Sequence, residues 1–152
     1  MLFSGVILLA ACGGTTAGAV APLLAPPTTR TYDACSYDAP AREVIRTEAD
    51  WRRAWARLSA CRSPAPDVPA VDFAREMVLL AALGQRATGG HGVRIASAAV
   101  SDGVLHVQVI ETRPGAGCMT TQALTHPVAV ARVPRHDGEV RFADRVEVRD
   151  CG

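Results

Sequence analysis

The side chains that could act as nucleophiles, bases or metal ligands are few and widely spaced in this sequence. It contains five cysteines and four histidines. The cysteines form no Cys-x-x-Cys pair, the histidines form no His-x-x-x-His pair, and no serine lies in a Gly-x-Ser-x-Gly elbow. The missing motifs are the usual signs of a zinc site or of an activated nucleophile. We therefore predict no catalytic residue, no metal and no cofactor, and we interpret Asp72 and Glu76 as capping or surface charges.

The segment Gly84–Gly92, GQRATGGHG, is a candidate binding loop between two apolar runs. It lacks the Lys-Ser/Thr ending of a phosphate loop, and a strand is expected after it where a phosphate loop has a helix. Glycines can adopt positive φ angles in a turn, and polar groups on a loop between fixed strands often bind a partner. We predict a turn first and a contact loop second, with Arg86 and His91 pointing to solvent. The candidate partner-binding residues are Gln85, Arg86, Thr88, Gly89, Gly90 and His91.

The N-terminal region predicts export and a lipid anchor. Leu2–Ala11 is an apolar run about half as long as the ~20 residues of a membrane span. It ends in the letters LAAC, which resemble a bacterial lipobox with Cys12 as the lipidated (palmitate-carrying) residue. We predict a lipoprotein signal peptide over 1–11 and a lipidated cysteine with a flexible tether over 12–30, which anchors the protein facing the periplasm or cell surface. The alternative is an ordinary cleaved signal peptide with an incidental cysteine.

The remaining residues, 31–152, have the length of one globular domain. The near balance of 16 basic and 15 acidic residues in the chain argues against a nucleic-acid partner. Four cysteines lie in this region, and an even number in an exported chain predicts two disulfides. Among the three possible connectivities we favour Cys35–Cys151, which would join the ends of the domain, with Cys61–Cys118.

The elements that must position these residues begin with a helix. Thr47 with Asp50 three residues later forms a capping-box-like start. Trp51, Trp55 and Leu58 then fall on one helical face. We interpret this stripe as packing against the core, and the alternative is an aromatic ligand platform.

Short strands make up the rest of the predicted domain. Ser101-Asp102-Gly103 indicates a hairpin turn. The pattern predicts an α+β domain with a mainly antiparallel sheet, in a sandwich or half-barrel, with one N-terminal amphipathic helix packed on it. The predicted strands are 42–46, 77–83, 92–100, 104–111, 127–134, 139–142 and 144–150.

Several short motifs resemble the C-terminal domain of the PrcB family, a subunit of a bacterial surface protease complex. They are VDF at 71–73, MVL at 77–79, GQ at 84–85, TGG at 88–90, and Val93 with Ile95. The resemblance extends over about Val44–Pro134 and departs from the family at His91, where an aromatic residue is common. It implies a non-catalytic accessory lipoprotein whose partner is an envelope protein, with a protease as one candidate. Two alternatives stay open: a protease inhibitor, since ATGGHG resembles the loop of chagasin-type inhibitors, and a structural envelope protein.

Overall fold

The computed structural model describes residues 27–151, so the predicted signal peptide, Cys12 and most of the predicted tether lie outside the described residues. Seven strands and one 11-residue helix form the described part, which confirms the β-rich α+β class. That helix is too short to span a membrane, and the described residues contain no other candidate span. The elements are β1 (Thr29–Asp33), β2 (Pro40–Ile45), α1 (Glu48–Leu58), β3 (Glu76–Leu83), β4 (Gly92–Ser101), β5 (Val104–Pro114), β6 (Pro127–Pro134) and β7 (Val140–Arg149).

The strands form two sheets. The first sheet has the order β1-β6-β3-β2 and is antiparallel throughout. The second sheet has the order β4-β5-β7, and its β7 runs parallel to β5. The hairpin predicted between β4 and β5 is present, with positive φ angles at Asp102 and Gly103.

The first sheet is covered on both faces. Alternate residues of β3 and β6 pack against the inward side chains of β4 and β5, which forms the core between the sheets. The other residues of the same strands pack against α1 and the segments beside it. Met77–Leu83 is accordingly almost fully buried, as its continuous apolar run predicts.

The amphipathic helix lies on the outer face of the first sheet in the predicted manner. The Thr47 hydroxyl accepts a hydrogen bond from the Asp50 backbone N–H at 3.2 Å, which satisfies a free amide of the first turn. Trp51 and Trp55 are 3% and 6% exposed, so little of either ring is open to a ligand. Their indole N–H groups donate to the carbonyls of Pro69 and Pro66 in the proline-rich segment after the helix.

Two strand predictions differ from the structure. β1 was not predicted, and it begins at Thr29, inside the predicted tether; its sequence, TRTYD, has no apolar alternation, and it becomes a strand by pairing with β6. The two predicted strands at 139–142 and 144–150 are one strand, β7. Asp144 looks like a break in the sequence, but its carboxylate receives two hydrogen bonds from the Arg42 guanidinium of β2.

The predicted disulfide pairing is wrong. The structure pairs Cys35 with Cys61 at a Cα–Cα distance of 6.2 Å and Cys118 with Cys151 at 5.0 Å. The expected Cys35–Cys151 bond assumes that the ends of the domain meet. The cysteine at the N-terminal end follows β1 of the first sheet, whereas the C-terminal cysteine follows β7 of the second. Each disulfide is therefore local to one region.

Candidate functional site

Two connections lie together and form what we call the end surface, residues 84–91 between β3 and β4 and residues 115–126 between β5 and β6. Arg86 and Thr125 exchange both backbone hydrogen bonds, at 2.8 and 3.0 Å. The Gly89 N–H donates to the Thr121 carbonyl at 2.9 Å. The first connection joins strands of different sheets, so the predicted turn is part of a crossing between the sheets.

Glycine is required at several positions of this crossing. Gly84 and Gly90 have φ angles of +79° and +84°, a region that other residues adopt only at a cost. A Cβ at Gly84 would also lie 2.9 Å from backbone atoms of Asp38, Ala39 and Pro40. Gly89 has no positive φ, but a Cβ there would collide with the hydroxyl of Thr121. The crossing therefore has a fixed shape.

Arg86 does not point to solvent, contrary to the prediction. Its guanidinium donates to the Leu83 carbonyl at 2.8 Å and lies 3.4 Å from the Glu111 carboxylate, and the side chain is 24% exposed. The backbone turn at Gly84 carries the arginine back over the end of β3, where a carboxylate attracts it. Arg86 thus joins the two sheets and is not available as a free contact.

Glu111 is a central charge of the site, and the sequence reasoning missed it. Its side chain is 13% exposed, and Arg113 donates to it at 2.8 Å. This hydrogen bond is the main cause that lowers the pKa of Glu111, against the opposing effect of burial. The signal was present in the sequence, because Glu111 continues the inward-facing series Leu105, Val107, Val109 of β5.

His91 also fails to point to solvent. The ring is half-buried, and its Nδ1 atom is buried without a hydrogen-bond partner. Burial is the main cause that lowers the pKa of His91, and the positive charge of Arg86 adds to it. His91 lines a groove of about 460 Å³ between the edge strands β1 and β4.

The groups that the end surface does present to solvent are partly apolar. Of the predicted contact residues, Gln85 and Gly90 are exposed, Thr88 is half-buried and Gly89 is buried. Met119 is fully exposed and Leu124 is 60% exposed, and neither was predicted. The signal for them was two large apolar residues in a connection otherwise made mostly of small and polar residues. Exposed apolar side chains that form a patch mark protein contact surfaces, and these two lie on the same connection.

The arrangement is suited to binding. Glu111 is ionised and engaged by two guanidiniums, Arg86 and Arg113, which opposes a role in proton transfer. Across residues 27–151, no three Cys, His, Asp or Glu side chains gather as metal ligands would. Backbone hydrogen bonds hold the two connections together, and the connections carry exposed apolar side chains. Another protein could recognise such a surface.

Comparison with known proteins bears on the same residues. The family model described as PrcB C-terminal matches residues 77–134, in agreement with the resemblance predicted from the sequence. The match covers most of β3, all of β4, β5 and β6, and both connections of the end surface. It is shorter than the resemblance over Val44–Pro134 and leaves out α1. No curated protein and no solved structure gives a significant match.

Proposed function

We propose that this chain is an exported lipoprotein whose domain binds another protein of the cell envelope and catalyses no reaction of its own. The observation that carries the proposal is the PrcB C-terminal match, because the matched residues build the end surface. The family name indicates a subunit associated with a protease complex, so a protease or one of its subunits is the partner that we propose.

The contact surface that we propose centres on Met119 and Leu124, with Gln85 and Gly90 beside them on the adjoining connection. Apolar side chains that become fully desolvated supply much of the affinity in protein interfaces. The backbone that carries them is held by hydrogen bonds between the connections and by the Cys118–Cys151 disulfide. Little ordering is then needed on binding, which favours affinity. The inhibitor alternative has less support, since Gly89 of its glycine pair is packed against Thr121 and does not project.

The binding role is tested by a double substitution, Met119→Ser with Leu124→Ser. The tagged full chain is used to capture envelope proteins, which are identified by quantitative mass spectrometry. We expect the parent to enrich one dominant partner and the double variant to lose it, because the apolar contact is removed. The matched control is Val68→Ser, which changes a 43% exposed apolar side chain in the proline-rich segment after α1. The control variant should capture the partner like the parent.

The outcomes separate the parts of the proposal. Equal capture by the parent and the double variant contradicts the end surface as the binding site. A dominant partner that is neither a protease nor a protease subunit contradicts the protease association but leaves the binding module standing. Turnover of a peptide substrate by the purified chain alone, abolished by Glu111→Gln or His91→Gln, would contradict the non-catalytic role.

The lipid anchor at Cys12 rests on the lipobox-like LAAC motif, in residues outside the described part of the chain. Cys12→Ser should move the protein from the membrane fraction to the soluble fraction, since lipidation requires the thiol. Fractionation with immunoblotting measures this directly. The proposed anchor is wrong if the variant and the parent distribute in the same way.

A further inference from the structure

The outer edge of β7 is a long strand edge of the described fold that no proline or bulge interrupts. It is ten residues long, contains no proline, and pairs with β5 without a break in register. The other long edge strand, β4, has an irregularity between Ile95 and Ser97, and β2 begins with Pro40. Bulges and prolines commonly protect strand edges from pairing, and β7 has neither.

The backbone of β7 divides its hydrogen-bonding groups between two sides. Leu105 N–H donates to the Glu139 carbonyl and Gly115 N–H donates to the Arg149 carbonyl, both at 2.9 Å. The backbone N–H and C=O groups of the odd-numbered residues therefore point to β5. Those of the even-numbered residues, from Val140 to Val148, point to the free edge. Another strand could pair there with a regular ladder.

The sequence of β7 indicates what that strand is. Reading EVRFADRVEVR, residues 139–149, in both directions from Asp144 places opposite charges and apolar residues at equal distances from the centre. We infer that β7 pairs antiparallel with β7 of a second copy of this chain, on a two-fold axis through Asp144. The opposed residues are Glu139 with Arg149, Val140 with Val148, Arg141 with Glu147, and Phe142 with Val146, each pair occurring twice by symmetry.

The like charges at the axis are already compensated. Each Asp144 carboxylate accepts hydrogen bonds from Nε and Nη2 of its own Arg42, at 3.0 and 2.8 Å. The two copies therefore bring together two ion pairs and not two free carboxylates. Val146 and Val148, which are 45% and 63% exposed, gain apolar neighbours from the second copy.

Other registers are less complementary. Side chains on the same face must oppose each other, so the axis must pass through a residue. An axis through Arg145 opposes Arg141 with Arg149, and one through Ala143 opposes Arg141 with Arg145. An axis through Val146 opposes Arg145 with Glu147 but leaves Asp144 opposite the apolar Val148. The axis through Asp144 opposes residues 139–142 with 146–149 as opposite charges or as apolar pairs, and it leaves only Arg145 opposite Ala143.

The test is a charge reversal with a compensating partner. The full chain, carrying Cys12→Ser to remove lipid-driven clustering, is examined by sedimentation velocity over a concentration series up to about 1 mM, where even a weak complex forms. We expect reversible dimers. Arg141→Glu opposes Glu147 with a like charge at two symmetric positions and should raise the dimer dissociation constant by about tenfold or more. Adding Glu147→Arg restores the opposite charges and should restore dimerisation.

The matched control is Arg145→Glu on the same outer face of the strand, because Arg145 opposes Ala143 in this register. It should leave the dissociation constant within about threefold of the parent, which corresponds to well under 1.4 kcal/mol. Circular dichroism melts establish that each variant is folded. A monomeric parent across the series overturns the inference. The inference is also overturned if Arg145→Glu disrupts the dimer and Arg141→Glu does not. It is overturned as well if Glu147→Arg fails to restore the dimerisation that Arg141→Glu removes.

Discussion

The helix side of the first sheet and the end surface achieve order by different means. On the helix side, Trp51 and Trp55 bury large apolar surfaces against the sheet. At the end surface, backbone hydrogen bonds, glycines in restricted conformations and the Arg86–Glu111 contact fix two connections that carry few buried apolar groups. Apolar burial is non-directional and stabilises the domain, whereas hydrogen bonds and glycine geometry determine the shape of a surface.

The family match follows the same division. It includes the end surface and the strands that carry it, and it leaves out α1. A helix that supplies mainly burial can be replaced by other apolar elements, because cores accept varied side chains of suitable volume. The crossing at 84–91 has no such freedom, because a Cβ at Gly84 would collide with the backbone of Asp38 to Pro40. We therefore expect substitutions on the helix side to lower stability only, and substitutions at the end surface to lower both stability and partner capture.

The largest effect is expected for Trp51→Ala. The substitution removes a ring that is 3% exposed and an indole that donates to the Pro69 carbonyl at 2.8 Å. We expect a loss of about 3–5 kcal/mol in the free energy of unfolding, measured by urea denaturation. Arg52→Ala, at an exposed position of the same helix, should change it by less than about 0.5 kcal/mol. Lost partner capture by Trp51→Ala, while it is still folded, would contradict the division between the two regions.

Removal of each disulfide is expected to cost about 2–4 kcal/mol. The bonds close similar loops, with sequence separations of 26 for Cys35–Cys61 and 33 for Cys118–Cys151, so their entropic contributions should be similar. Paired Cys→Ala variants and thermal denaturation measure both. Only the loss of Cys118–Cys151 should also weaken partner capture, because it holds the second connection of the end surface. Equal capture by both variants would show that this disulfide does not shape the binding surface.

Gly84→Ala should cost about 2 kcal/mol. Alanine at φ +79° is strained by about 1–2 kcal/mol, and its Cβ would meet three backbone atoms at 2.9 Å. The control is Gly117→Ala, since a Cβ there meets nothing within 4 Å, and it should be neutral within about 0.5 kcal/mol. Urea denaturation distinguishes the two variants. Equal stabilities would indicate that the crossing can relax around a side chain.

The smallest effect concerns pH. The pKa of His91 in the fold lies below its ordinary value of 6.5, so the unfolded chain binds a proton first as the pH falls. The neutral imidazole therefore supports the fold fully above pH 6.5, and this contribution decreases as the pH falls toward the folded pKa. His91→Gln should flatten the dependence of the melting temperature on pH between 7 and 5. The pKa of Glu111 is lowered from 4.5, so its contribution is lost only below that pH. An unchanged slope in the His91 variant would contradict the burial of this ring.

Much of the fold could be predicted because local patterns carried it. The Thr47 cap and the Trp51 stripe have the spacing of a helix, and the short length of the apolar run of β3 favours a strand buried on both faces. The hairpin between β4 and β5 followed from Asp102-Gly103 in the same way. β1 could not be predicted, since its burial pattern has no strand period and its partner β6 lies far along the chain, as in the pairing of Thr29 with Ala131.

The binding role of 84–92 stays a prediction, and the structure bears only on the backbone and the side-chain orientations of this segment. The glycines of 84–92 indicated a special backbone, and Gly84 and Gly90 do have positive φ angles. The orientation of Arg86, which follows β3 of the first sheet, depends on Glu111, which lies on β5 of the second sheet. A side chain that lies between two sheets contacts residues of both sheets. A sequence pattern covers only one segment, so it cannot show the contacts with the other sheet.

By itself the sequence determined the class of the domain, the helix with its buried face, the double-sided burial of β3 and the resemblance to the matched family model, because these depend on neighbours along the chain. The tertiary structure alone decided the cysteine partners, the parallel course of β7, the inward turn of Arg86 and the exposure of Met119 and Leu124. Each of these depends on which distant segments the two sheets bring together. Contacts between such segments leave no periodic pattern in the sequence, and the free energy of closing the loop between them varies only slowly with the length of the loop.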